Sequence, residues 1–283
     1  MILSLFAPLL LQVGPGVSPG AGGALPQAPL EIPRKKAAAP ARVQPAASKL
    51  AQCRDLAKAS PAAAESFAED WREPLKGSAR VEAGECLGLA LAAQGKWDAA
   101  GEAFAEAREL TPANEAAGRA RLGAMAGNAL LAQGKSDKAL EVLDRAHGEA
   151  LGAGDPRLAG DIAVDRARAL VALKRDADAA AALTSARTNA PENGQGWLLS
   201  ATLSRRQNRL ADASAQIVTA ARLLPLDAEV GLEAGVIAVL AGNEAAARRS
   251  WQSVLATAPG SETARTAQSY LDQLGPDPSS PGR

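Results

Sequence analysis

The sequence predicts an all-α chain assembled from consecutive antiparallel helix pairs. Three observations carry that prediction. Alanine is abundant from end to end while aromatics make up only 3% of the 283 residues. It is the strongest helix former, and its small side chain lets helices approach closely. Runs of Val, Ile and Thr at period two, which strands need, are missing. The segment from Cys86 to Ala107, CLGLALAAQGKWDAAGEAFAEA, sets small and large residues in an order that recurs along the chain. With 47% hydrophobic residues there is ample apolar material for a core, and 31 basic side chains balance 31 acidic ones. That neutrality argues against a general electrostatic grip on nucleic acid or membrane lipid.

The elements follow in order. Met1 to Leu11 (MILSLFAPLLL) is apolar except for Ser4. It is too short to span a bilayer and suits the hydrophobic part of a secretory signal. Gly22 and Ala24 offer a cleavage site, so residues 1–24 are expected to be a signal peptide and the chain to be exported, to the periplasm or outside. No Lys or Arg precedes the apolar run, which leaves a plain apolar leader as the alternative. No cysteine follows it closely, so neither a lipid anchor nor membrane contact beyond the signal is expected. Residues 25–46 are rich in Pro and Ala and read as a disordered linker, with Arg34, Lys35 and Lys36 as a solvated basic trio. Two short helices are expected next, Lys49 to Lys58 and Pro61 to Arg72, with Ser60 as cap. The last helix should run from Ser261 to Leu274 and stop at Gly275-Pro276. Residues 276–283 (PDPSSPGR) read as a disordered tail, which leaves 47–275 as the folded region.

Within that region the recurring order takes Gly95 as its fixed point. Leu87, Gly88 and Leu91 precede it; Ala100, Phe104, Ala107 and Pro112 follow. This is helix, tight turn, helix, stop. Gly88 and Ala100 are small where two helices must cross closely, and Gly95 suits a backbone conformation costly for other residues. Four further copies carry Gly127, Gly134, Ala139 and Leu143; Ala167, Lys174, Ala179 and Leu183; Ala201, Asn208, Ala213 and Ile217; and Gly235, Gly242, Ala247 and Trp251. The turn positions 174, 208 and 242 are 34 apart, whereas 95, 134 and 174 are separated by 39 and 40. The surplus is expected as extra turns on the first helices of the second and third units, begun by Asn114 and by Asp155-Pro156, with Gly148 to Asp155 as a loop. Asn193, Asp227 and Ser261 take the cap position in later units.

In this small/large pattern, the turn spacing and the repeated caps, residues 80 to 260 resemble the tetratricopeptide repeat, a helix–turn–helix unit of 34 residues. The resemblance implies a right-handed superhelical solenoid of about five repeats, flanked here by the short N-terminal pair and a C-terminal capping helix. It also implies a concave wall, lined by the first helix of each pair, that binds a protein or peptide partner. Carried onto this chain, the groove positions are Glu82, Glu85, Arg121, Asn128, Asp161, Val164, Arg168, Leu198, Thr202, Arg205, Leu232 and Val236. Arg121, Asn128, Arg168, Thr202 and Arg205 are the candidates for partner contact. Asn128 suits a peptide backbone, and Arg168 and Arg205 suit a carboxylate. Chaperone-tail receptors of the family need a Lys and an Asn where Glu85 and Leu89 stand, so that role is not expected.

Nothing in the sequence points to chemistry. His147 is the one histidine and reads as a surface side chain near a helix end, too little for a histidine-based metal site. No glycine-rich phosphate loop follows a strand. Glu102, Glu106 and Glu109 fall on a solvated helix face. Trp197 and Trp251 occupy core positions, and Trp97 follows a turn. A non-enzymatic scaffold is therefore expected, with no metal, cofactor, small-molecule substrate or nucleic acid. Its rivals are a self-associating structural protein and a regulatory subunit of a separate enzyme. Cys53 and Cys86 begin the matching phrases CRDLA and CLGLA, 33 residues apart. They are either bridged or two buried thiols, and the bridge requires both side chains to point into one seam.

Overall fold

The computed structural model describes residues 47–275. The expected signal peptide, linker and tail lie outside the described residues. Thirteen α-helices follow one another, and no strand occurs among the described residues. The first two, α1 (Lys49–Ala59) and α2 (Pro61–Arg72), are joined through a 3-10 turn at Gly77–Arg80 to five helix pairs. These are α3 (Val81–Ala93) with α4 (Trp97–Leu110), α5 (Ala116–Ala132) with α6 (Ser136–Gly152), α7 (Pro156–Ala172) with α8 (Asp176–Asn189), α9 (Gly194–Arg206) with α10 (Leu210–Leu223), and α11 (Ala228–Leu240) with α12 (Glu244–Thr257). A single helix, α13 (Glu262–Leu274), closes the series. The arrangement is an all-α solenoid.

Every pair turns in the same way. Gly95, Gly134 and Gly242 have φ of 73°, 73° and 78°, and Lys174 and Asn208, at the same place in their units, have φ of 59° and 57°. At Gly95 the amide donates to Ala92 O and the next amide, Lys96, to Leu91 O, and this pair of bonds recurs at all five turns. The left-handed residue is what allows two otherwise orphaned helix-end carbonyls to be bonded. Lys174 adopts it at a cost of about 1 kcal/mol that glycine would not incur.

The packing within each pair repeats with the same regularity. A small residue on the first helix faces a large one 16 positions later on the second: Gly88 and Phe104, Gly127 and Leu143, Ala167 and Leu183, Ala201 and Ile217, Gly235 and Trp251. All five large residues are buried. A Cβ placed on Gly127 would lie 2.6 Å from Leu143, and those on Gly88 and Gly235 would strike the Phe104 and Trp251 rings. Ala100, Ala139, Ala179, Ala213 and Ala247 are wholly buried at the matching point of each second helix. Small residues on one helix thus make the room that large residues on its partner fill.

Stacking of the pairs assigns the walls. First helices touch one another along the series, α5 with α7, α7 with α9, α9 with α11 and α11 with α13, while second helices pack mainly on flanking first helices. The first helices therefore form the inner wall. Both ends are closed by polar surface. On α1 the residues Gln52, Arg54, Asp55 and Lys58 are exposed, as are Arg265, Gln268, Ser269 and Asp272 on α13. That is how a solenoid covers its terminal apolar faces.

Three helix boundaries differ from the sequence reading. Gly148 to Gly152 continues α6 rather than forming a loop, so the longer spacing reflects an extended second helix as well as extended first helices. Ala150 is buried there and the Glu149 carboxylate accepts from Arg108 Nη2 at 2.5 Å. Those contacts outweigh two helical glycines, which cost about 1 kcal/mol each. Asn114 does not cap α5: the Glu115 amide bonds Pro112 O at 2.9 Å, which uses Asn114 inside a turn and leaves Glu115 at the helix start. Ser60 stands at the start of α2 without a side-chain capping bond. The caps expected at Asp155, Asn193, Asp227 and Ser261 all accept from amides of their first helical turn.

Candidate functional site

The inner wall is built of polar clasps and one open stretch. At its N-terminal end Glu85 on α3 is completely buried, yet its carboxylate is doubly bonded: Arg54 Nη2 on α1 lies 2.6 Å from Oε1, and Arg121 Nη2 on α5 lies 2.9 Å from Oε2. A buried carboxylate is tolerable only with such partners. Beside it, Cys53 on α1 and Cys86 on α3 are joined by a disulfide with Cα atoms 5.8 Å apart. Both residues are fully buried among Ala68, Phe67 and Trp71.

The second clasp joins α5 to α7. Asn128 Nδ2 donates to Asp165 Oδ2 at 2.8 Å, and Arg168 Nη1 lies 2.6 Å from Asp165 Oδ1. Burial pushes the Asp165 carboxyl above its ordinary range. Asn128 and Arg168 oppose that rise, and neighbouring Asp161 adds to it. The third clasp joins α9 to α11. The Arg205 guanidinium forks onto Glu233, with Nε to Oε1 at 2.6 Å and Nη2 to Oε2 at 3.2 Å.

Between and beyond these clasps the wall opens into a cleft of about 510 Å³ lined from α7, α9, α11 and α13. Arg168, Leu198, Thr202 and Leu232 from the sequence-predicted groove lie on it. Arg121, Asn128 and Arg205 do not; they serve the clasps. Arg168 lines the cleft but is bonded to Asp165, so neither it nor Arg205 offers a free fork for a partner's carboxylate. Glu85 is interior, Val164 is buried, and Asp161 accepts from Asn193 Nδ2 at 2.7 Å. The Thr202 hydroxyl donates to Leu198 O at 3.1 Å.

Sequence reasoning missed Gln195, Leu199, Glu229, Glu262, Thr263 and Thr266, which also line the cleft. A signal for most of them was present. Gln195, Glu229 and Thr263 fall at successive steps of 34, as do Leu198, Leu232 and Thr266. The capping helix α13 thus keeps the register of a sixth first helix and extends the wall.

His147 differs from its expected place. It is half-buried on α6, and its Nε2 is shut from solvent without a hydrogen-bond partner among the described residues. The helix runs five residues past it, which puts it inside the stack rather than at an end. Burial first, then the Arg166 charge, lowers its pKa, against the opposing pull of Asp144. No group of three or more His, Cys, Asp and Glu able to hold a metal occurs among the described residues, and no helix among them is long and apolar enough to cross a membrane.

Five pairs with left-handed turns, a small/large contact at constant spacing and an inner wall of first helices define a solenoid of the tetratricopeptide-repeat fold. Solved structures agree. The chain is similar to PilW, a widely conserved type IV pilus biogenesis factor, at 18% identity and a TM-score of 0.63 over 78% of this chain and 96% of that one. It is similar to PilF of Pseudomonas aeruginosa at 16% identity and a TM-score of 0.61, covering 78% and 99% of the two chains. A thermophilic TPR protein of Thermus thermophilus matches at 22% identity and a TM-score of 0.55, covering 68% and 98%. At such identities the likeness is one of fold. No protein-family model and no curated protein matches the sequence.

Proposed function

We propose that the chain is a non-enzymatic scaffold that binds a protein or peptide partner along the inner wall, in the cell envelope. The cleft across α7, α9, α11 and α13 carries the reading: it is a continuous concave surface built from one register position after another. Elongated troughs of this kind match an extended segment better than a compact metabolite. Polar outer faces on α1 and α13 speak against end-to-end growth of the solenoid, the geometry self-association would use. The envelope part rests on the apolar start of the sequence and on the disulfide, which an oxidising compartment maintains.

Partner capture from cells tests it. The wild-type chain is compared with Thr202→Arg, which plants a long cation in the cleft, and with Val218→Asp at a position 69% exposed on α10. The partner should be lost with the first variant and kept with the second, both melting close to wild type. Equal capture by all three would refute the cleft as the binding surface.

A further inference from the structure

The cleft has an apolar annex and an unbalanced charge, and together they describe what it takes. Beside the 510 Å³ cleft lies a second cavity of about 240 Å³, and Arg168, Leu199 and Thr202 border both, so the two form one trough. The annex is walled chiefly by Val171, Leu183, Leu199 and Leu203. Those four side chains have no donor or acceptor to offer a polar group and reward an aliphatic one by area removed from water.

The charges of the trough are unevenly paired. Its cation Arg168 is bonded to Asp165, and Arg206 at the annex sits 3.8 Å from Asp176. Glu233 is held by Arg205. Glu229 on α11 and Glu262 on α13 line the same cleft, are exposed, and have no ion pair among the described residues. The uncompensated charge is therefore two carboxylates. They lie on neighbouring first helices at one end of the trough, with the annex between α7 and α9 at the other.

Resting on the reading of the cleft as a peptide site, we infer that it selects extended segments carrying a lysine or arginine a few residues from an aliphatic side chain. The aliphatic group fills the annex, and the cation lies between Glu229 and Glu262. This reverses the partner suggested by the sequence, which presented an acid to Arg168 and Arg205. Those guanidiniums are already neutralised within the chain, and a partner's carboxylate would meet net negative potential.

The test uses the full chain and a random nonapeptide library with acetylated and amidated ends, so that only side chains carry charge. The retained pool should be enriched in Lys or Arg together with Leu, Ile, Val or Met. For a retained peptide, Glu229→Gln with Glu262→Gln should weaken binding about fivefold, as two exposed charge contacts would. Raised salt should weaken the wild type in the same direction. Both glutamates are exposed, so this variant keeps the fold. A pool indifferent to charge or enriched in acids, a pool unchanged in the double variant, or no retained peptide overturns the inference. Thr202→Arg separates it from the parent reading. A charge-blind pool that this variant empties preserves the cleft as a peptide site and removes only the selectivity. A pool that survives the variant removes the cleft itself.

Discussion

At the N-terminal end α1 and α3 are joined covalently by Cys53–Cys86 and again by Arg54–Glu85, and Arg121 ties α5 to the same carboxylate, whereas from α9 to α13 the wall is crossed, among the described residues, only by hydrogen bonds between α9 and α11, Arg205 to Glu233 and Gln195 to Asp227, and the cleft lies open. The turn spacing differs in parallel, with 39 between Gly95 and Gly134 and 34 between Asn208 and Gly242. Where successive units have equal length, as from Asn208 to Gly242, the small/large contacts repeat in phase and the joining bonds are ordinary side-chain hydrogen bonds. Where the length changes, between Gly95 and Gly134, Arg121 on α5 reaches back to the buried Glu85, and the disulfide fixes the helix that carries Glu85 to α1 one unit earlier. Glu229 and Glu262 at the cleft make no ion pair among the described residues, whereas Arg54, Glu85 and Arg121 are committed to one another.

The covalent brace is where that contrast is easiest to break. Replacing both cysteines, Cys53→Ala with Cys86→Ala, removes a link across 33 residues and should cost roughly 3–4 kcal/mol on the chain-entropy model. Because neighbouring units couple only through their interfaces, the loss should be local. Hydrogen exchange should quicken in α1 and α2 and stay unchanged in α9 to α12. Uniform quickening would show that the solenoid unfolds as one unit and that the two regions do not differ as described. Differential alkylation of protein prepared without reductant checks the bond itself, and two thiols alkylated in the unreduced, denatured chain would remove it.

In the aligned region the equivalent point of attack is packing. Ala213 on α10 is wholly buried, in a cluster with Ala201 and Ile217. Ala213→Leu adds three carbons where no space exists and should cost about 1–3 kcal/mol. A denaturant melt with an unchanged midpoint would mean that the α9–α10 contact yields more readily than its small residues imply.

How much of this was legible depended on whether a feature repeats. The turns at positions 95, 134, 174, 208 and 242, the paired small and large residues, and the caps at Asn193, Asp227 and Ser261 each occur several times in phase, and the structure has all of them. The end of α6 occurs once, and Gly148 and Gly152 resemble a loop until the Arg108–Glu149 contact is known. The clasps were invisible for another reason. Periodicity says which face a side chain takes, but Arg168 bonds Asp165 and Asn128 reaches across 37 residues to the same carboxylate, choices made by side-chain direction across the inner wall. The same ambiguity placed Glu85 in the groove when it is wholly interior.

The smallest expected effect lies at the junction of the two regions, where α6 meets α7. There the His147 ring is half-buried, with Arg166 nearby on α7 paired to Asp144 at 2.6 Å. Burial and the Arg166 charge both disfavour the protonated ring, so its pKa in the folded chain is below the ordinary 6.5. The unfolded chain then takes up the proton first as pH falls. Stability from this group is full above about 6.5 and is lost progressively as pH drops through the lowered folded value. Wild-type protein should therefore lose more melting temperature between neutral and mildly acid pH than His147→Gln, which keeps a polar side chain of similar size without the titration. The difference should be on the order of 1–2 °C, since the ring is only partly shielded. Parallel pH profiles for the two proteins would show that solvent reaches the ring freely and that the junction between α6 and α7 is looser than its packing indicates.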